Sequence, residues 1–373
     1  MVIRSNPAVW DPRVEKEVRS LTTHGFRVTI LALDREGLYP RFESSGNRLV
    51  FRLRLRMPYG KSVMFAYYPI FWLWTLSKLL EIHPSIIHAC DLDSVFPALL
   101  YRFLRHRTRV VFDVFDSLAL SIRGKSQVLS DIVLCVEKFV AAMPDALITV
   151  SKERLALYDG VKLKRSEIIM NFPDLEGFRE GLTARYLDRP SKVFRLVYAG
   201  MIWPYRGLVE TAEAIKDISD IEFVLAGRIM SRKVFDSVMR FPQAKYYGQL
   251  EFRKSLALES SADAIVVLYD LNSPTLRFSG VAPNKLYEAM MLGVPVVTNL
   301  ADSLRGVKFG VFVKYGDVDS TRKAILYLKE HPDVRHRLGA NGKRAFEQTY
   351  NWTLMEKRLL ALYHGLLDQV QSA

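Results

Sequence analysis

Short runs of consecutive aliphatic and β-branched residues recur along this chain. Between them lie stretches in which apolar positions return every three or four residues. The first pattern predicts strands buried on both faces, and the second predicts helices packed on one side. The opening residues give a complete example. Met1 to Ser5 predicts a strand, Asp11 and Pro12 a turn or cap, Val14 to Leu21 a helix, His24 and Gly25 its stop, and Val28 to Leu33 a second strand. Strand, helix and strand in that order form a βαβ unit, which implies a parallel sheet with helices on its faces. Further strands are predicted at Ser85–Ala89, Arg109–Val114, Ala146–Val150 and Ile168–Met170. After Asn171 the chain turns polar as far as Lys192, with Gly177, Gly181 and Pro190, and reads as a linker. The pattern then restarts with strands at Arg195–Ala199, Glu222–Ala226, Ala264–Leu268 and Gly310–Val313. Helices are predicted from Leu208 to about Ile218, after Gly248, from Ser320, and over an amphipathic tail from Trp352 to Leu367. The expected fold class is α/β, in two successive parallel halves.

One stretch, Phe278 to Asn299, combines these signals with candidate chemistry. It reads as a loop with Gly280 and Pro283, a helix running to Leu292, a stop at Gly293, and a buried strand over Val294–Thr298. Proline suits the first helical turn, where a backbone N–H has no intrahelical partner. The amides of Asn284 and Lys285 then face outward with the positive end of the helix dipole behind them, an arrangement that favours an anion. Glu288 falls one turn further on the same face, where its carboxylate could accept from a pair of sugar hydroxyls. Phosphate beside ribose is the layout of a nucleotide sugar. The same residues also fit an ordinary capped helix of an α/β protein.

Two stretches depart from the alternation. Phe51 to Met57 has period two, with Arg52, Arg54 and Arg56 on one face, as in a solvated edge strand guarded by charge. Val63 to Leu76 is the most apolar part of the chain, but it is shorter than the ~20 residues needed to span a bilayer, and Pro69 interrupts it. A core helix accounts for it. So does an interfacial segment that rests, with the arginines, on an anionic membrane.

Composition narrows the picture. The chain has 373 residues, long for one core and comfortable for two. Two cysteines, Cys90 and Cys135, exclude a disulfide framework and fit a reducing compartment. No export signal is read at the start, so a cytoplasmic location is expected. The net charge of +13 implies acidic partners. Residues 1–180 hold 26 Lys/Arg and 20 Asp/Glu, a net of +6, and the rest hold 27 and 20, a net of +7. A charge spread so evenly is not a basic tail, and no zinc or nucleic-acid signature appears, so nucleic acid is not expected as a partner. The first loop lacks GxGxxG, so nothing there argues for a dinucleotide. His88, Cys90 and Asp91 sit at the carboxyl end of a predicted parallel strand, where open α/β sheets keep their ligands.

Several of these segments together resemble glycosyltransferase family 4. On the amino-terminal side they are Asp11-Pro12-Arg13-Val14, His24-Gly25-Phe26-Arg27-Val28-Thr29, Ile87-His88-Ala89-Cys90-Asp91, the run Asp145 to Ser151, and Asn171. On the carboxyl-terminal side they are Ala199-Gly200, Arg206-Gly207 and Pro283-Asn284-Lys285-Leu286-Tyr287-Glu288-Ala289-Met290. The resemblance covers most of the chain in the family's order. It implies the GT-B fold, in which two Rossmann-like domains face a cleft and the last helix crosses back to the first. The expected domains are 1–178 with 352–373 on the acceptor side, and 190–351 for the donor. It also implies retaining sugar transfer from a nucleotide donor without a catalytic metal or other cofactor.

The resemblance places Gly200, Arg206, Gly227, Asn284, Lys285, Leu286 and Glu288 on the donor. In that scheme Arg206 and Lys285 stabilise the leaving diphosphate and Glu288 binds the ribose. Asp11, Arg13, His88 and Asp91 belong to the acceptor side, with His88 and Asp91 also candidates for catalysis. Three positions depart from the family. Gly280 stands for the first glutamate of a pair, Met201 for a basic residue, and Cys90 for a second histidine. The expected activity is a hexosyltransferase using a UDP- or GDP-sugar and a lipid-linked or cell-envelope glycan acceptor. The departures keep two alternatives open: a sugar-nucleotide-binding accessory subunit without turnover, and a GT-B sugar-nucleotide 2-epimerase.

Overall fold

The β-branched runs of the first half fall into a single eight-stranded sheet, and those of the second half into a six-stranded one. The structure, a computed structural model, describes residues 1–9, 11–57, 66–124, 126–175, 193–273, 284–300 and 306–371. Two compact units result, Met1–Asn171 with Thr353–Ala373, and Phe172–Trp352.

The first unit runs β1 (Val2–Arg4), α1 (Pro12–Thr23), β2 (Val28–Asp34), β3 (Phe42–Ser45), β4 (Arg48–Arg54), α2 (Tyr68–Ile82), β5 (Ile86–Cys90), α3 (Leu92–Leu104) and β6 (Arg109–Val114). It continues with α4 (Leu118–Arg123), α5 (Gln127–Ala141), β7 (Ala146–Thr149), α6 (Lys152–Ala156) and β8 (Ser166–Ile168). The strand order is β3-β4-β2-β1-β5-β6-β7-β8, parallel except for the β3–β4 pair. The order reverses direction between β1 and β5, which makes that gap the ligand-binding switch point of such a sheet. α1 begins where the sequence requires, with Asp11 capping the Val14 amide and Pro12 in the first turn. It buries Val14, Val18 and Leu21.

The second unit runs β9 (Phe194–Ala199), α7 (Leu208–Ala214), β10 (Ile221–Ala226), α8 (Arg232–Val238), β11 (Ala244–Tyr246), α9 (Phe252–Ser260) and β12 (Ala264–Val267). After these come α10 (Asn284–Leu292), β13 (Val296–Thr298), β14 (Gly310–Phe312), α11 (Val318–Glu330) and α12 (Pro332–Gln348). Its sheet is wholly parallel in the order β11-β10-β9-β12-β13-β14, with the switch point between β9 and β12. Strands β9, β10 and β12 are buried at every position, and apart from Arg195 and Glu222, which pair with each other, they read as continuous apolar runs. A last helix, α13 (Trp352–Gln371), packs for most of its length within the first unit, where Glu356 accepts from the Ser20 hydroxyl at 2.7 Å.

The structure corrects two expectations. The arginine-bearing strand is β4, and it is not an edge. β3, too short and polar to be read from the pattern, pairs outside it. Arg52 is accordingly buried, donating to the Pro7 and Pro40 carbonyls and pairing with Glu43 at 2.9 Å. Pro69 does not interrupt the apolar run but starts a helix, lying in the first turn of α2. Residues 63–65 of that run lie outside the described residues, as do Gly280, Pro283 and most of the linker reading.

Candidate functional site

Each sheet gathers polar side chains at its switch point. In the second unit, β9 ends at Ala199 and the chain passes through Gly200 on its way to α7. Gly200 donates to Ala226 O at 2.8 Å, which draws the ends of β9 and β10 together. Gly227, at φ 134°, lies flat on this turn, and a Cβ there would sit 1.9 Å from the Gly200 carbonyl oxygen. A side chain at 227 is therefore excluded by the adjacent backbone. Gly207 opens α7 at φ 62°, where a Cβ would strike Leu268 at 2.8 Å. These glycines let the backbone close tightly and aim the residue between them, Arg206.

Arg206 reaches across the switch point. Its guanidinium carbon lies 3.8 Å from the centre of the Tyr269 ring, just past β12. This is a cation–π distance, which holds the charge in place while leaving its N–H groups free to donate. Its Nη1 is buried and has no hydrogen-bond partner among the described residues. A buried, unpaired charged donor is costly, and it marks a position from which an acceptor is missing. Burial raises the Tyr269 phenol above its usual range, although Arg206 and Lys285 pull the other way.

Lys285 and Glu288 occupy the first turns of α10, as the pattern predicts. Lys285 Nζ pairs with Glu288 Oε2 at 2.6 Å and with Glu259 Oε1 at 2.8 Å. Glu259, on α9, is fully buried and carries no signal in the sequence beyond being a lone acid in an apolar stretch. Burial pushes its carboxyl up to about 8, opposed by Lys285 and reinforced by Glu288. Burial disfavours the Lys285 charge, but the two carboxylates outweigh it and hold the ammonium above its ordinary value. Lys285 is thus shared between two acids and does not stand free. Leu286 is a core residue, while Asn284 is exposed. Met201, in the place of a basic residue, is exposed, and its carbonyl accepts from the Tyr198 hydroxyl at 2.7 Å.

In the first unit the predicted residues separate into two levels. Asp11 and Asp91 lie at the carboxyl ends of β1 and β5, bridged by Arg4. Arg4 Nε donates to Asp11 at 2.9 Å and its Nη1 to Asp91. Asp91 has φ 64°, uncommon outside glycine, and accepts from the Phe115 and Asp116 amides at 2.9 and 3.1 Å. Burial pushes Asp91 up to about 7, with Arg4 pulling down. Beneath it, Arg13 and His88 are buried. Arg13 pairs with Asp113 at 2.9 Å and Glu17 at 3.1 Å and donates to Ile169 O. His88 contacts Asp113 through Nε2 at 3.1 Å and the Tyr363 hydroxyl through Nδ1 at 2.8 Å. Ligand atoms of Glu17, His88 and Asp113 come within 4.8 Å of one another, but the Arg13 guanidinium already supplies the cation between the two carboxylates. Cys90 is fully buried, and burial raises its thiol. Of the four residues expected on the acceptor side, only Asp11 and Asp91 are partly exposed. Arg13 and His88 support them from below.

Comparison with known proteins bears on the fold. Residues 11–170 match the family model described as "Glycosyl transferase 4-like domain". No curated protein sequence matches. Among solved structures, sucrose-phosphate synthase from Thermosynechococcus elongatus is similar at a TM-score of 0.79 and 19% identity, over 98% of each chain. Anabaena HepE in complex with UDP and glucose is similar at 0.69 and 13%, over 97% of this chain and 98% of that one. An Escherichia coli structure described as trehalose-6-phosphate bound with UDP-2-fluoro glucose gives 0.71 and 13%, over 99% and 98%. At these identities the likeness establishes the fold, which is GT-B.

Proposed function

We propose that this chain, whose residues 11–170 match a glycosyl transferase 4-like domain and whose fold is GT-B, is a glycosyltransferase that moves a hexose from a UDP- or GDP-sugar to a lipid-linked or cell-envelope glycan, with retention and without a metal. The observation that carries the donor half of this reading is the unpaired, buried Nη1 of Arg206 held against Tyr269 at the β9/β12 switch point. A diphosphate oxygen is the acceptor this donor lacks. That structural relatives hold UDP or UDP-sugars favours uridine over guanosine.

When the sugar–phosphate bond breaks, negative charge grows on the leaving diphosphate. A fixed guanidinium stabilises that charge more than it stabilises the intact donor, which is what lowers a barrier. Lys285 supplies the second cation. With ribose hydroxyls donating to Glu288, that carboxylate's hold on Lys285 weakens, and the ammonium can turn toward phosphate while Glu259 keeps it anchored. Two fixed cations fill the leaving-group role that Mg²⁺ takes elsewhere. On the other side, Asp91 and Asp11 orient the acceptor, and the buried Arg13–Asp113–His88 set fixes the strand end that carries Asp91. Acceptors of this class meet the enzyme on the cytoplasmic face of a membrane.

Incubation of the purified chain with a panel of UDP- and GDP-sugars tests this. Release of nucleotide, by transfer or slow hydrolysis, is the expected result. Tight binding without release would favour the accessory-subunit reading, and interconversion of the sugar would favour the isomerase.

A further inference from the structure

Three helices on one face of the first sheet carry apolar side chains outward as well as inward, although α5 also turns Ser130 and Glu137 inward. α2, α3 and α5 bury Phe71 and Leu79, Tyr101, and Val140 in one shared core. Their outer faces should then be polar, as on any surface helix. They are not. Leu73 on α2, Phe103 on α3, and Val128 and Phe139 on α5 are 69, 73, 71 and 69% exposed. On α5 the exposed Val128, Ile132, Val136 and Phe139 follow one another at helical spacing, so they form a continuous stripe rather than scattered singles.

The three helices are also neighbours. Trp72 of α2 donates to the Asp93 carbonyl of α3 at 2.6 Å, and Arg102 of α3 donates to the Met143 carbonyl beyond α5 at 2.7 Å. Exposed apolar side chains gathered on three neighbouring helices mark an interaction surface.

Charge identifies the occupant. At the end of α3 the chain leaves the apolar face through Arg105, His106 and Arg107, all exposed. The side chains of Arg105 and Arg107 have no partner among the described residues. Of the exposed acids of these helices, Glu81 is neutralised by Lys78 at 2.7 Å, while Asp131 accepts from the neutral Gln127 amide at 3.0 Å and keeps its single charge against the two arginines. The face therefore presents hydrocarbon beside uncompensated positive charge. A second copy would bring its own net +13 to the same place. An anionic bilayer offers both complements at once, a headgroup charge and an acyl boundary some ~5–10 Å deep. No described helix is long and apolar enough to cross a membrane, so contact is with one leaflet.

We infer that the α2/α3/α5 face docks the protein on an anionic lipid surface, with Phe103 and Phe139 entering the leaflet and Arg105 and Arg107 at the headgroups. This deepens the lipid-linked reading above, but its test does not use turnover, so the two can fail separately.

Flotation of the full chain with vesicles of phosphatidylcholine, with and without phosphatidylglycerol, is the experiment. Binding is expected only with phosphatidylglycerol and is expected to fall with salt. Arg105→Gln and Arg107→Gln should each weaken it about fivefold. Phe103→Ser with Phe139→Ser should abolish it at unchanged melting temperature, since both residues are exposed. Absence of flotation would overturn the inference, as would equal binding to neutral vesicles. Serine variants that instead convert a dimer to a monomer in sedimentation would assign the face to a second copy.

Discussion

The two switch points use similar residues to opposite ends. In the first unit, Arg13 lies between Asp113 and Glu17, His88 is held from both ring nitrogens, and Arg4 bridges Asp11 and Asp91. Every described cation there has its counter-charge. In the second unit, Arg206 keeps a buried N–H with no acceptor among the described residues, and Lys285 is divided between Glu288 and a Glu259 that burial pushes toward its protonated form. A closed network stabilises a strand end, whereas an open one awaits a ligand. The lesson is that location at a switch point does not by itself identify a binding group. Its remaining hydrogen-bonding capacity does.

The sharpest way to break this contrast is to open the closed side. Asp113→Ala leaves Arg13 and His88 buried with one carboxylate fewer. Removing one partner of a buried ion pair costs about 3–5 kcal/mol, which in a unit of this size is roughly a 10 °C loss in melting temperature. Thermal unfolding measures it. A variant that melts within a degree or two of the parent would mean that the network carries little stability and that the contrast is false.

On the open side, Arg206→Ala should lower kcat with a nucleotide sugar by about 10²–10³, the scale for losing a donor that acts on developing charge. Its melting temperature should hold, because a buried N–H without an acceptor is lost together with the contact to the Tyr269 ring. Steady-state kinetics at saturating donor checks this. Full turnover with raised KM would reduce Arg206 to a binding group.

The closed and open sites were not equally legible in the sequence. Runs such as Ile86–Cys90 and Val296–Thr298 announce buried parallel strands because both faces are apolar, and Asp11-Pro12 announces the start of α1. β3 gave no signal, being four residues of mixed character, and its absence made β4 read as an edge. The helix at 127–141 misleads the pattern because its contrast is inverted: α5 turns Ser130 and Glu137 inward and Val128, Ile132 and Phe139 outward. At the sites, Arg206, Lys285 and Glu288 could be read locally, since each stands beside a glycine turn or a helix start. The burial of His88 could not, because it depends on Asp113, 25 residues away, and Tyr363, 275 away. Glu259 is the clearest omission. Nothing within α9 shows that its carboxylate meets Lys285.

Glu288→Ala sharpens the assignment within the open site. With one acid removed, Lys285 remains paired with Glu259, so folding should be little changed. A ribose hydroxyl pair would lose its buried acceptor, a loss of about 1–3 kcal/mol, or roughly tenfold to a hundredfold in affinity for UDP. Calorimetric titration decides it, and unchanged affinity would detach Glu288 from the nucleotide.

The remaining test concerns Asp91, where the closed side meets solvent. Burial raises its folded-state value to about 7, while Arg4 opposes the rise, and an unfolded aspartate lies near ~3.9. Between about pH 4 and 7 the folded protein therefore keeps a proton that the unfolded chain has released. Stability must fall as pH rises through that window and level off above it. Asp91→Asn keeps an oxygen for the Phe115 and Asp116 amides and removes the titration, so its melting temperature should decline less steeply across the same range. Its absolute stability depends on how well Arg4 manages with Asp11 alone, which is why the slope is the quantity to compare. An identical slope would mean that Asp91 is ionised throughout. It would then stand before the acceptor as a fixed negative charge rather than as a group able to exchange a proton near neutrality.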